Sequence, residues 1–142
     1  MRILLTLGLL TLGLLAGTAA SAWAATDADG CNPEGSQMEL NACAARDFRR
    51  ADAELNTVYR QIVAKLSGQP VALSRLKEAQ RLWVQLRDAD LEARYPVGKD
   101  EDPRMLYGSM YPMLYSGAKA DLTTTRTAYL RGEFIERSEY DL

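Results

Sequence analysis

Histidine is absent from the 142 residues. That removes the most common general base and the most common zinc ligand from any site this chain builds. Cysteine is scarce, with only Cys31 and Cys43, and two thiols without an imidazole make a poor zinc site. An excess of basic charge is missing too. The formal net charge is −2 and the sequence pI is about 5.2. That balance argues against nucleic acid and anionic membrane surfaces, and it suits a basic protein partner. No run of alternating polar and apolar residues marks a strand, and no internal repeat is visible.

One long apolar run is present, at the start. Residues 2–24 read RILLTLGLLTLGLLAGTAASAWA: one leading positive charge, an uncharged run, then Ala22-Trp23-Ala24 as an A-x-A cleavage site. This is the pattern of a secretory signal peptide, expected over 1–24 with the cut after Ala24. An uncleaved anchor is the rival, but small residues fill the end of the run where a spanning helix stays bulky. LLAG is followed by Thr18, not cysteine, which disfavours lipid anchoring. Removing Arg2 leaves about 118 residues with 16 basic and 19 acidic side chains, net −3. That is one domain with a modest core, expected to be periplasmic or secreted. No stable membrane insertion is expected after cleavage. In an exported chain Cys31 and Cys43 point to one disulfide. It closes a loop of about a dozen residues and contributes roughly 2–3 kcal/mol in the chain-entropy model. A metal pair or a reactive thiol is the rival use.

Residues 25–35 are small, polar and turn-rich, and read as a flexible leader. Ser36-Gln37-Met38-Glu39 fits a capping box. After it Phe48, Ala51, Leu55, Val58, Ile62 and Leu66 recur at spacings of three and four, predicting a helix over about 37–66. Ser67-Gly68-Gln69-Pro70 breaks it. A second helix is expected over 71–94, stopping before Tyr95-Pro96. The short connection predicts that helices one and two form an antiparallel hairpin. Residues 95–112 hold three of the five prolines and the acidic run Asp100-Glu101-Asp102, and read as a long loop. A third helix is expected over 112–135, with Leu114, Tyr115, Ala118, Leu122, Thr125, Tyr129 and Leu130 facing inward. Residues 36–136 form a single domain, and 137–142 read as a frayed end. The fold class is all-α, a small bundle of three main helices.

Each main helix carries polar groups on or beside its apolar stripe. Gln80, Trp83 and Arg87 fall within about 60° of each other on helix two. Asp52 and Asn56 border the stripe of helix one, and Arg126 that of helix three. A buried charge without a partner is costly, so these five residues are expected to form a structural network, with Asp52 bridging Arg87 or Arg126. A small-ligand pocket beside Gln80 and Arg87 is a further reading. Catalysis is not expected. A glycosidase needs two carboxylates on one cleft, and only Asp52 is near this face. Thr123-Thr124-Thr125 and Ser109 have no evident activating base. No cofactor or metal is expected either.

Taken in order, three segments carry a resemblance. They are SQMELNACAARDFRRADAELNTVY, LKEAQRLWVQLRDADLE and YGSMYPMLYSGAKADLTTTRTAYL. They resemble the LprI-type lysozyme-inhibitor family of small exported bacterial helical proteins, over about residues 31–131. The motif positions here are Gln37, Leu40, Asn41 and Cys43; Ala51, Asp52, Leu55, Asn56 and Tyr59; Leu76, Ala79, Gln80, Trp83, Arg87 and Asp88; Gly108 and Ser109; Leu122, Thr123, Arg126 and Leu130. Many relatives carry a second cysteine pair. The corresponding positions look like Leu91 and Ala118, which suits a bridge replaced by a packing contact.

The resemblance implies an exported inhibitor of a peptidoglycan-cleaving lysozyme, acting by protein–protein binding. A basic lysozyme would be drawn to a net charge of −3. The candidate docking residues are Tyr95, Asp100, Glu101, Asp102, Tyr107 and Tyr111, in the long loop. The plainer reading of the three acids is a solvated loop tip. A general envelope binding module, or an immunity-like partner of a secreted toxin, is the alternative function.

Overall fold

The computed structural model describes residues 31–137. The expected signal peptide, most of the leader and all but the first residue of the expected frayed end lie outside the described residues. Four α-helices follow in order: α1 Gln37–Lys65, α2 Pro70–Arg94, α3 Pro103–Tyr107 and α4 Tyr111–Arg131. A 3-10 turn, Gly108–Met110, joins α3 to α4, and a π-helical turn, Gly132–Glu136, extends α4. No strand occurs among the described residues. None of the helices there is long and apolar enough to cross a membrane.

The start of α1 follows from its capping box. The Glu39 amide donates to Ser36 Oγ at 3.4 Å, and the Ser36 amide donates to Glu39 Oε2 at 2.7 Å. Two orphan donors at the helix end are thereby satisfied. The Ser36 hydroxyl, donating to Glu39 Oε2 at 2.8 Å, and then the Ser36 amide hold the Glu39 carboxyl below its ordinary pKa of 4.5. Cys31 and Cys43 form the expected disulfide, with Cα atoms 5.6 Å apart. It pins the segment before α1 to the second turn of that helix. Arg46 covers it, its guanidinium 3.2 Å from Cys31 Sγ and 3.0 Å from Cys43 Sγ.

The core centres on Leu55, Val58, Ile62 and Leu66 of α1, Leu76 of α2 and Leu130 of α4. Tyr59, Trp83 and Phe134 pack against its edge. The closest helix pair is α1 with α4, not α1 with its chain neighbour α2. Small residues permit that approach. Ala120, Thr123 and Thr127 are buried on α4, and Ala44 on α1. The inward-facing set expected for α4 therefore needs correction. Thr125 and Tyr129 are exposed, and Thr123 and Thr127 take their place. Their hydroxyls stay satisfied. Thr123 donates to the Lys119 carbonyl at 2.8 Å and Thr127 to the Thr123 carbonyl at 2.9 Å.

Ties along the α1–α4 pair show that the two helices run in the same direction. The Gln37 amide lies 3.7 Å from Met113 Sδ near one end. Lys119 lies over the Phe48 ring at 5.2 Å, and Glu54 pairs with Arg131 further along. Lys65 donates to the Phe134 carbonyl at 2.8 Å near the other end. Leu91 and Ala118 are both buried, so neither leaves a polar vacancy where relatives are expected to hold cysteines.

Candidate functional site

The polar residues of the helix faces come together in pairs, and the pairs differ from those expected. Asn56 donates to Asp52 Oδ2 at 3.0 Å within α1. Arg126 Nε donates to Gln80 Oε1 at 3.1 Å, joining α4 to α2. Arg87 bonds the adjacent Asp88 at 2.8 and 2.9 Å, in place of the expected bridge to Asp52. Lys119 of α4 approaches the same Asp88 oxygen at 3.5 Å. Asp52, Asn56, Gln80 and Arg87 do line one shallow groove of about 250 Å³ between α1 and α2.

Aromatic rings hold the two guanidiniums. Arg87 is only 8 % exposed and lies 5.2 Å from the centre of Trp83. Arg126 lies 5.7 Å from Trp83 and 5.3 Å from Tyr129. Burial pulls the Arg126 guanidinium below its ordinary pKa, a direction opposed by Tyr129. In the threonine run, Thr123 and Thr125 both donate to backbone carbonyls one turn back.

Residues 95–112 form a folded projection, not the long loop expected. Asp102 caps α3 by accepting from the Arg104 amide at 2.8 Å, and Pro103 occupies the first helical position. Glu101 Oε2 accepts from the Gly98 amide at 2.7 Å and closes the preceding turn. Gly108 adopts φ 69° and ψ −168°, a backbone region that is nearly glycine-only. That reversal starts the 3-10 turn, and Asn41 of α1 holds it by donating to the Ser109 carbonyl at 3.0 Å.

Four tyrosines form the base of the projection. Tyr107 stacks on Tyr111 at 5.5 Å, and Tyr95 meets both edge-on at 5.9 and 6.3 Å. Tyr115 closes the cluster at 5.7 Å from Tyr111. The Tyr107 hydroxyl donates to the Pro96 carbonyl at 2.9 Å, and that of Tyr95 to the Leu114 carbonyl at 3.3 Å. Burial, with Asp88, Tyr111 and Glu92 nearby, pushes the Tyr115 phenol above its ordinary pKa. It therefore stays neutral at physiological pH. A cleft of about 440 Å³ opens beside Glu92, Tyr95, Tyr111 and Tyr115.

The structure thus brings Tyr95, Tyr107 and Tyr111 together as a half-buried platform. It places Asp100, Glu101 and Asp102 on the exposed turn above. Sequence reasoning missed the apolar part of this surface. Met105 is 84 % exposed, Leu106 49 % and Met110 42 %. The available signal was Asp102-Pro103, an N-cap followed by a first-turn proline, which marks a short helix with one face to solvent.

The family described as Lysozyme inhibitor LprI matches residues 28–130. A protein of Rhizobium meliloti (strain 1021), itself described as uncharacterized, is 41 % identical over 120 residues, covering 77 % of this chain and 81 % of its own. No solved structure matches the chain. The family match takes in the capping box, the disulfide-bearing Cys43, the tyrosine platform and the Gln80–Arg126 tie, so the chain belongs to the LprI lysozyme-inhibitor family.

Proposed function

We propose that this chain is an exported, non-enzymatic inhibitor of a peptidoglycan-cleaving lysozyme, with residues 95–112 as its docking surface. Membership of a family described as lysozyme inhibitors carries the reading. The N-terminal signal pattern supports action outside the cytoplasm, in the periplasm or beyond it.

The docking mechanism follows from the make-up of the projection. Met105, Leu106 and Met110 offer adaptable apolar contact. Asp100 supplies negative charge with no structural bond of its own to break. The tyrosine platform fixes the backbone beneath, so little ordering entropy is lost on docking. A basic enzyme cleft is attracted by the acids and filled by the apolar tip, which excludes substrate. The Asp52–Asn56, Gln80–Arg126 and Arg87–Asp88 pairs act as structural ties in this scheme.

Direct titration of lysozymes of several classes against the oxidised protein tests the proposal. Saturable binding that weakens as salt rises supports it. A folded protein that binds none of them returns the chain to the general envelope-module or toxin-immunity reading.

A further inference from the structure

A further cavity lies at the other end of the α2–α4 pair from the tyrosine platform. It is a groove of about 290 Å³ with Leu76, Ala79, Tyr129 and Phe134 in its walls. Two guanidiniums, Arg75 and Arg126, share that lining. The volume falls at the lower end of small-ligand pockets, roughly 300 Å³.

Several arginines of this surface are tied to carboxylates, and the two in this groove are not. Arg50, Arg81, Arg87, Arg131 and Arg137 each have a carboxylate partner. Among the described residues, neither Arg75 nor Arg126 has a carboxylate within 4.0 Å. Glu78, on the same helix as Arg75, is engaged by Arg81 at 2.7 Å. Arg75 thus feels the Glu78 charge only at longer range, and Arg126 stands beside an apolar trough with no carboxylate partner.

Arg126 is also held in place. Its Nε is fixed by Gln80 at 3.1 Å, and its plane is flanked by Trp83 and Tyr129. The remaining N–H groups form a fork suited to two carboxylate oxygens. A guanidinium fixed in this way loses little entropy when it takes an anion, and apolar walls beside it reward an attached hydrocarbon chain.

We infer that this groove binds a single-chain aliphatic carboxylate, with the head group on Arg126 and the tail along Leu76, Ala79 and Phe134. Arg75 adds attraction at the exposed side. The pairing of charge and tail is what defines the ligand: a small anion lacks the apolar contact, and a neutral alkyl chain leaves the fork unfilled.

Calorimetric titration of the oxidised protein with decanoate, decanol and acetate tests this, each kept below micelle-forming concentrations. Decanoate is expected to bind one per chain, decanol at least tenfold more weakly, and acetate without detectable heat. Arg126→Gln is expected to weaken decanoate at least tenfold and leave decanol unchanged, with circular dichroism checking the fold. Ala79→Phe, at an exposed helix position, fills the trough while keeping Arg126 and is expected to abolish decanoate binding. No saturable decanoate binding overturns the inference. Equal affinity for decanoate and decanol does so as well, as does decanoate binding retained by folded Ala79→Phe.

Discussion

Asn41 on α1 donates its side-chain amide to the Ser109 carbonyl at 3.0 Å, across 68 residues of sequence. The same Asn41 accepts from the Gln37 amide at 2.9 Å, one turn earlier on its helix. This bond fixes the reversal at Gly108 against the first helix, and with it the root of the projection. Asn41→Ala is expected to cost about 1 kcal/mol of stability, the ordinary value for a lost hydrogen bond. The sharper readout is local. Proteolysis between residues 95 and 112 should speed up more than global unfolding accounts for. Equal acceleration everywhere would show that Asn41 holds nothing special.

Gly108 is a backbone requirement, not a packing one. A Cβ added there meets no atom within 4 Å, yet φ is +69°. Gly108→Ala should therefore destabilise by about 1–3 kcal/mol through strain alone. Chemical denaturation checks it. A midpoint equal to that of the parent chain would mean that the turn relaxes freely.

Arg87 is buried, but its partner is not. Asp88 is 41 % exposed, so removing the arginine leaves a carboxylate that water can solvate. Arg87→Ala then loses the packing and the cation–π contact with Trp83 and little ion-pair energy. About 1.5–3 kcal/mol is expected, below the 3–5 kcal/mol of a fully buried broken pair. A loss above that range would restore the buried-bridge account.

The capping box predicts a pH dependence. The Glu39 carboxyl titrates below its ordinary 4.5 in the folded chain, because Ser36 bonds its charged form. Its contribution is thus fully present above the ordinary value and is lost as pH falls through the lowered one. Ser36→Ala removes those side-chain bonds. The stability gap between parent and variant should be constant at neutral pH and shrink on acidification below about 4.5. A gap that stays constant to pH 2 would contradict this origin.

The docking surface makes its own prediction. Asp100 is exposed and Met105 is 84 % exposed, so changing them should not disturb the fold. Asp100→Asn with Met105→Ser is expected to weaken lysozyme binding at least tenfold and flatten its salt dependence. The melting temperature should stay the same. Unchanged inhibition would remove the projection from the interface.

Much of the fold was legible because its signals are local. The Ser36–Glu39 box places the start of α1, and Pro70 and Tyr95-Pro96 bracket α2 within a residue. The inner face of α4 was harder to read. Hydrophobic spacing favours large side chains, whereas the close α1–α4 approach selects Ala120, Thr123 and Thr127. The Arg87–Asp88 pair escapes any spacing argument, since adjacent residues do not face each other on a helix and only a long side chain folding back joins them. The projection looks like a loop in the sequence because α3 spans only five residues, too few for a periodic pattern.

The most direct test is lysis protection. The oxidised protein is mixed with lysozymes of several classes, and clearing of a bacterial cell-wall suspension is followed against inhibitor concentration. Dose-dependent protection against at least one class is expected, lost in the Asp100→Asn, Met105→Ser chain. No protection against any class by folded, oxidised protein would contradict it.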